Sequence, residues 1–330
     1  MIFSSIRFVG LFVLATTVAE AAFINQSKTF FSGKKCKVDT ISLKAAKGQF
    51  FNDKYNTQCA GIESEPCFWG KANSEEKIIE YCSKVLFPQI DPFLANQFIN
   101  VISTEVPILV IDNFLPSERC IEIISAATSE GILKRSTLGA NQEVSEERTS
   151  STSWLHEDMC EIPLRVLAGR VSRLIGLPAK NMENLQLVKY SEGQHFGLHT
   201  DHQNAFNNLD CKGRLATCLV YLNSSYEVND EKCGSFHGGE TRFPEFGEEI
   251  LPLQGRAIFF FNTKERPGSP GYDPHMRLNV ELKSRHAGLP VFGGTKWIAN
   301  RWVHPVALKN EIRDDVGLSD ISSDISSDIS

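Results

Sequence analysis

The chain has 330 residues, 42% of them hydrophobic and 22% charged, with a formal net charge of −6 at pH 7. That composition is globular and leaves room for one large domain, or an ordinary domain with a smaller companion. No basic run stands out, which argues against a nucleic-acid binder. At the N-terminus Arg7 precedes the apolar run Phe8–Val18, and Ala19-Glu20-Ala21 follows. A basic start, a short apolar stretch and an A-x-A site predict a secretory signal peptide over residues 1–21, with an uncleaved signal-anchor as the alternative.

The nine cysteines suit that route, because an oxidising lumen lets disulfides persist. Residues 22–100 read as a small separate region carrying Cys36, Cys59, Cys67 and Cys82, which could form two bridges in any of three connectivities. Zinc is the rival occupant, disfavoured by the lack of paired C-x-x-C spacing. Cys120 with Cys160, and Cys211 with Cys233, are further candidate pairs. Cys218, inside LATCLVYL, reads as a buried thiol.

In chain order, SEEKIIEYCSKVL (Ser74–Leu86) predicts a helix with Glu75 and Glu76 in its first turn. Val106–Leu115 is a compact β-branched stretch, and Pro116-Ser117 then opens a second helix. A third helix runs over Ile162–Gly176. From there the texture changes to strands at 185–190, 215–222, 239–243, 256–262 and 296–303. Ser224–His237 is a long hydrophilic loop. The Ser/Asp/Ile repeats of 309–330 carry too little apolar surface to fold alone and predict a disordered tail. Helices first and strands after predict an α+β fold around a β-sandwich or barrel.

Candidate chemistry begins at GQHFGLHTDHQNAF (193–206). On an extended strand His199 and Asp201 would face one cavity together. Two histidines and a carboxylate on one face of a metal suit non-haem Fe(II), leaving positions for a co-substrate and O₂. A solvated histidine-rich loop is the alternative. The second piece is Arg285–His304, where His286 precedes Lys296 by ten residues. A lysine projecting from an apolar strand is costly unless it meets an anion. His195, His202 and His237 read as exposed loop residues, and His156 and His275 have no partner visible in sequence. Asn25 and Asn223 head glycosylation sequons.

Taken together, VPILVIDNFLPSERC, RTSSTSWL (148–155), LQLVKYSEGQHFGLHTD, RLATCLVYLN, GGETRFP (238–244) and HAGLPVFGGTKWIANRWVH resemble, in order, the catalytic domain of prolyl 4-hydroxylases, the Fe(II)- and 2-oxoglutarate-dependent dioxygenases. The resemblance spans about 200 residues, from Val106 to His304. It implies a double-stranded β-helix (jelly-roll) core with flanking helices over residues 101–308, preceded by the cysteine-containing region. It also implies that His199, Asp201 and His286 ligate iron, with no catalytic residue separate from the metal site. Lys296 would pair with the distal carboxylate of 2-oxoglutarate, with Thr241 and Tyr190 as hydrogen-bonding companions. Arg214 and His304, with Arg148, would contact substrate on a groove surface. Phe196 stands where the family commonly has tyrosine, and His202 and Gln203 follow Asp201 where it usually offers an aromatic residue.

The implied reaction converts peptidyl proline to 4-hydroxyproline and releases succinate and CO₂, with ascorbate restoring the iron. A proline-rich or collagen-like polypeptide would be the substrate, the endoplasmic reticulum lumen the setting, and a disulfide isomerase a candidate partner. The alternatives are the same chemistry on peptidyl lysine or a non-peptide, and an inactive secreted binding module.

Overall fold

Every residue of the apolar run Ala257–Phe261 is buried, yet alternate residues enter different cores. Ala257, Phe259 and Phe261 join one that includes the helices, and Ile258 and Phe260 join another. A strand with both faces covered gives this pattern, because successive side chains point to opposite sides. The protein is therefore layered as helices, a large sheet and a small sheet.

The computed structural model describes residues 67–129, 131–137, 145–156, 159–202, 212–225 and 235–308. Its helices are α1 (Glu75–Leu86), α2 (Pro92–Ala95), α3 (Ser117–Ser129) and α4 (Glu161–Ile175). The strands are β1 (Ile99–Ser103), β2 (Ile108–Ile111), β3 (Lys134–Arg135), β4 (Ser151–Leu155), β5 (Leu185–Ser191), β6 (Phe196–His199) and β7 (Ala216–Tyr221). They continue as β8 (Phe236–Gly238), β9 (Thr241–Phe243), β10 (Glu248–Ile250), β11 (Ala257–Phe261), β12 (His286–Gly288) and β13 (Val291–Val303). The large sheet has the order β1-β2-β11-β7-β13-β5-β4-β3, with β8 paired to β13, and the small one runs β10-β9-β12-β6.

From β5 onward the chain crosses between the sheets. β5, β7, β11 and β13 lie in the large sheet, and β6, β9 with β10, and β12 lie in the small one. This alternation is a double-stranded β-helix, the jelly-roll that the resemblance implies. Val188, Leu219, Tyr221, Phe243, Ile250, Phe260 and Ile298 belong to the core between the sheets. The helices cover the other face of the large sheet.

Helix boundaries follow local chemistry. Ser74 caps α1 by accepting from the Lys77 amide, with Glu75 and Glu76 in the first turn and Lys84 in the last. α4 stops at Gly176, whose φ of 79° lets the chain leave the helix left-handed. The stretch predicted as one strand over 239–243 is shorter, because Gly238 and Gly239 turn with φ of 67° and 71° before β9 begins.

Residues 67–100 correct the expectation of a separate N-terminal region. Trp69 is fully buried, packs 5.4 Å from both Phe259 and Phe261, and donates its indole N–H to the Leu174 carbonyl at 2.9 Å. Tyr81 of α1 donates to the Arg173 carbonyl, and β1 pairs with β2. An apolar stripe of Ile78, Val85 and Leu86 must be covered, and the helical layer covers it. All described residues lie in one unit, Phe51–Ser330.

The cysteines also differ from expectation. Cys67, Cys82, Cys160 and Cys218 are thiols, and Cys120 directs its thiol to the Leu115 carbonyl, so the Cys120–Cys160 bridge is not formed. Burial pushes the Cys82 and Cys218 thiols well above their ordinary range. The predicted signal peptide, Asn25, Cys36, Cys59, Cys211, Cys233 and the tail lie outside the described residues. Among the described residues, no helix is long and apolar enough to cross a membrane.

Candidate active site

Antiparallel pairing of β6 with β12 sets His199 directly opposite His286, although 87 positions separate them in sequence. Side chains opposed in this way meet. Asp201 follows two residues past His199, just beyond the end of β6. One donor atom from each of the three residues falls within 4.8 Å of the others. His199 Nε2 lies 3.4 Å from Asp201 Oδ1, and His286 Nε2 lies 3.9 Å from Asp201 Oδ2.

The environment of each group fits a divalent ion. His199 Nδ1 faces the Gly197 carbonyl at 2.8 Å and His286 Nδ1 the Ser284 carbonyl at 3.1 Å. A carbonyl only accepts, so Nδ1 carries the proton in each ring and the Nε2 lone pair is left for a metal. Burial and the neighbouring His199 lower His286 to about 4, which keeps it neutral. Burial alone would raise Asp201, but at low pH the protonated His286, and then His199, push it well below the carboxylate range, so the carboxylate is already ionised when His286 is neutral. Thr217 of β7 donates to Asp201 Oδ2 at 2.8 Å and fixes the carboxylate's orientation.

Lys296 points from β13 into the space between the sheets with 1% of its surface exposed. Its ammonium donates to the Gly239 carbonyl at 2.6 Å and lies 5.1 Å from the Tyr190 ring and 5.5 Å from that of Tyr221. Desolvation lowers Lys296 to about 7. An ammonium has three donors, so this buried cation has capacity for an anionic partner. Gly239 makes the close approach feasible, since a Cβ there would sit 2.9 Å from Lys296 Cδ at a positive φ. Thr241 Oγ1 accepts from the Tyr221 hydroxyl at 2.7 Å, and the Tyr190 hydroxyl bonds with Ser150. Lys296, Thr241 and Tyr190 thus gather on the same inter-sheet space.

The structure moves the three predicted substrate residues inward. Arg214 and His304 are 4% and 0% exposed, so neither lies on an open groove surface. Arg214 makes a two-pronged ion pair with Glu183, Nε to Oε1 at 2.6 Å and Nη2 to Oε2 at 2.8 Å, and stacks 3.5 Å over Trp302. His304 Nε2 meets Glu183 Oε1 at 2.8 Å. Arg148 reaches Thr137 O, Thr152 Oγ1 and Gln186 Oε1 and lies 4.9 Å over the Phe196 ring. Phe196 in turn stacks on His199 at 3.6 Å. Both arginines act electrostatically on Asp201, so they lie near the triad. His202, read as an exposed loop residue, is buried.

Sequence reasoning missed Thr217, Tyr221, Glu183 and Asn223. Thr217 and Tyr221 were legible in part, since positions 217, 219 and 221 of one strand face the same side. Glu183 and Asn223 take their partners from distant strands, and no local signal marks them.

A family model described as the 2OG-Fe(II) oxygenase superfamily matches residues 185–304. The chain is 31% identical over 232 residues to prolyl 4-hydroxylase 5 of Arabidopsis thaliana, covering 63% of this chain and 72% of that protein. It is 35% identical over 164 residues to prolyl 4-hydroxylase subunit alpha-2 of Gallus gallus, covering 49% of this chain but 27% of that subunit. The same 27% holds for the alpha-1 subunit of Caenorhabditis elegans. Among solved structures, a viral collagen prolyl hydroxylase from Paramecium bursaria Chlorella virus-1, in its 2OG complex, is 30% identical with a TM-score of 0.45, covering 60% of this chain and 96% of that one.

Proposed function

This chain belongs to the prolyl 4-hydroxylase family of 2-oxoglutarate- and Fe(II)-dependent oxygenases, and we propose that it hydroxylates peptidyl proline to 4-hydroxyproline in proteins of the secretory pathway. The observation that carries the reading is the convergence of His199, Asp201 and His286 donor atoms within 4.8 Å. Bound together, Fe(II) and 2-oxoglutarate supply the oxidation that puts one oxygen atom of O₂ into a C–H bond of the substrate and the other into succinate, with release of CO₂.

The chain's part is to bind, orient and exclude water. His199 Nε2, His286 Nε2 and an Asp201 oxygen would hold the ion on one side, leaving the rest of its coordination for small molecules. Thr217 and the Gly197 and Ser284 carbonyls keep those ligands oriented. Lys296 would receive the distal carboxylate of 2-oxoglutarate, with Thr241 and Tyr190 beside it. Lys296 is buried between the Tyr190 and Tyr221 rings, a low-dielectric setting that would strengthen that ion pair. Of the three residues expected to contact substrate, Arg148, which lies over the Phe196 ring beside His199, would be the one to meet the polypeptide, while Arg214 and His304 are held by Glu183. A proline-rich or collagen-like chain suits such a site, being ordered in advance and poor in backbone donors. Ascorbate as reductant and a disulfide isomerase as partner belong to the same proposal, and co-purification from a secretory host tests the latter.

The test is succinate release by the full chain with Fe(II), 2-oxoglutarate and ascorbate, with poly-proline and (Pro-Pro-Gly) repeat peptides compared against no peptide. Peptide-stimulated turnover with 4-hydroxyproline in the product supports the reading, and turnover blind to every proline peptide rejects it. Phe196, a hydrocarbon ring where the family commonly has a phenol, favours a second reading, peptidyl lysine or a non-peptide substrate. Those substrates enter the same assay.

A further inference from the structure

Asn223 lies two residues past the end of β7, where continuing the register with β13 sets it opposite Lys296. Its side chain continues the ladder that the backbone has left. Asn223 Oδ1 accepts from the Trp297 amide at 2.8 Å, and Nδ2 donates to the Thr295 carbonyl at 2.7 Å. The carboxamide therefore takes the role of a peptide group, gripping β13 on both sides of Lys296. The second Nδ2 hydrogen goes to Ser235 Oγ at 2.7 Å, immediately before β8. β8 leads directly to Gly239, whose carbonyl holds the Lys296 ammonium. Two residues before Asn223, at the end of β7, Tyr221 donates to Thr241. The strand that carries Lys296, the strand leading to its carbonyl partner and the strand bearing Tyr221 are thus joined at one amide.

We propose that Asn223 is the positioning residue of the Lys296 subsite, fixing where the ammonium meets the distal carboxylate of a 2-oxo dicarboxylic acid. The inference rests on Lys296 being the partner of 2-oxoglutarate. It has a consequence for the sequon Asn223-Ser224-Ser225. A glycan would take one of the two Nδ2 hydrogens, and both are engaged, so the folded protein leaves this sequon unmodified.

The test is equilibrium binding of 2-oxoglutarate and of 2-oxopentanoate, which lacks the distal carboxylate, to the full chain loaded with Co(II). Asn223→Asp keeps the shape and removes both donors. It should weaken 2-oxoglutarate by about tenfold or more while changing 2-oxopentanoate and Co(II) affinity by less than about twofold. Ser235→Ala, which removes one partner of the amide, should show the same selectivity at about threefold. Equal loss of both acids marks a merely structural residue and overturns the proposal, as does 2-oxoglutarate binding unchanged in both variants. If the wild-type protein does not prefer 2-oxoglutarate to 2-oxopentanoate, the Lys296 reading itself falls and takes the proposal with it. A glycan on the Asn223 peptide of active protein from a secretory host, seen by mass spectrometry, also overturns it.

Discussion

At the triad, His199, Asp201 and His286 turn their lone pairs toward one point, whereas at Glu183 each charge faces its opposite. Asp201, His286 and the Glu183 cluster are buried, and His199 is half-buried. The first gathers acceptors, an arrangement that repels itself until a cation or proton lies between them. The second is closed, since the carboxylate takes two donors from Arg214 and one from His304, and the Glu183 carbonyl accepts from Arg301. Convergent acceptors mark a ligand site, and spent charges mark architecture. Arg214 links the two, because it pairs with Glu183 and also helps hold Asp201 ionised.

The sharpest way to break that contrast is to remove a member of each cluster. His286→Ala should abolish Fe(II)-dependent succinate release, a loss of about a thousandfold or more, and destabilise the metal-free protein only by the ring packing it loses against Phe243 and Phe260. Metal-dependent turnover surviving in His286→Ala would mean that the triad is not the metal site. Next in size is Lys296→Ala, for which the 2-oxoglutarate KM should rise by about a hundredfold, the scale of a buried charged hydrogen bond. Peptide KM should move far less, and equal shifts in both would show that Lys296 does not select the dicarboxylate.

Glu183→Gln tests the closed cluster. It leaves Arg214 buried without its counter-charge, so urea unfolding should show a loss of about 3 kcal/mol. Burial alone would raise the Glu183 carboxyl, but Arg214 and then His304 hold it at about 2, against 4.5 for the ordinary group. A carboxyl lowered by folding stabilises the protein above its unfolded pKa, and that contribution drains away as pH falls from about 4.5 toward about 2. Wild-type stability should therefore decline through that window, and the decline should be shallower in Glu183→Gln. Parallel slopes would show that the charge at Glu183 is not what holds the cluster.

What was legible in the sequence follows the same division. The spacing of His199 and Asp201 is a local property of a strand and can be read from a few residues. Lys296 was legible because a charge in an apolar strand conflicts with core filling, and His286 because the segment around it resembles the family's last ligand segment. The position of His286 opposite His199 depends on register between strands far apart in the chain. Glu183 and Asn223 were invisible for that reason, as each looks like an ordinary polar residue until Arg214, His304, Thr295 and Trp297 are brought to it. Residues 67–100 seemed separate because cysteines drew attention away from Trp69, Ile78 and Val85, whose apolar stripe needed the helical layer.

The smallest expected effect concerns Phe196, which touches the open cluster from its edge. Its ring stacks on His199 at 3.6 Å with the planes 15° apart, and Arg148 lies over it at 4.9 Å. With one face against His199, the ring offers the guanidinium its other, so the three form a column that limits how His199 can tilt. Aromatic stacking of this kind contributes about 0.5–1.5 kcal/mol, so Phe196→Leu should weaken Co(II) binding by about threefold. Phe196→Tyr keeps the column and should leave Co(II) affinity within about twofold of wild type. If Phe196→Tyr instead shifts metal affinity as much as Phe196→Leu, the ring's polarity rather than its stacking governs His199. A change in peptide KM confined to Phe196→Tyr would locate the missing hydroxyl on the substrate side, and the metal cluster would then be indifferent to the one position where this chain departs from the family's tyrosine.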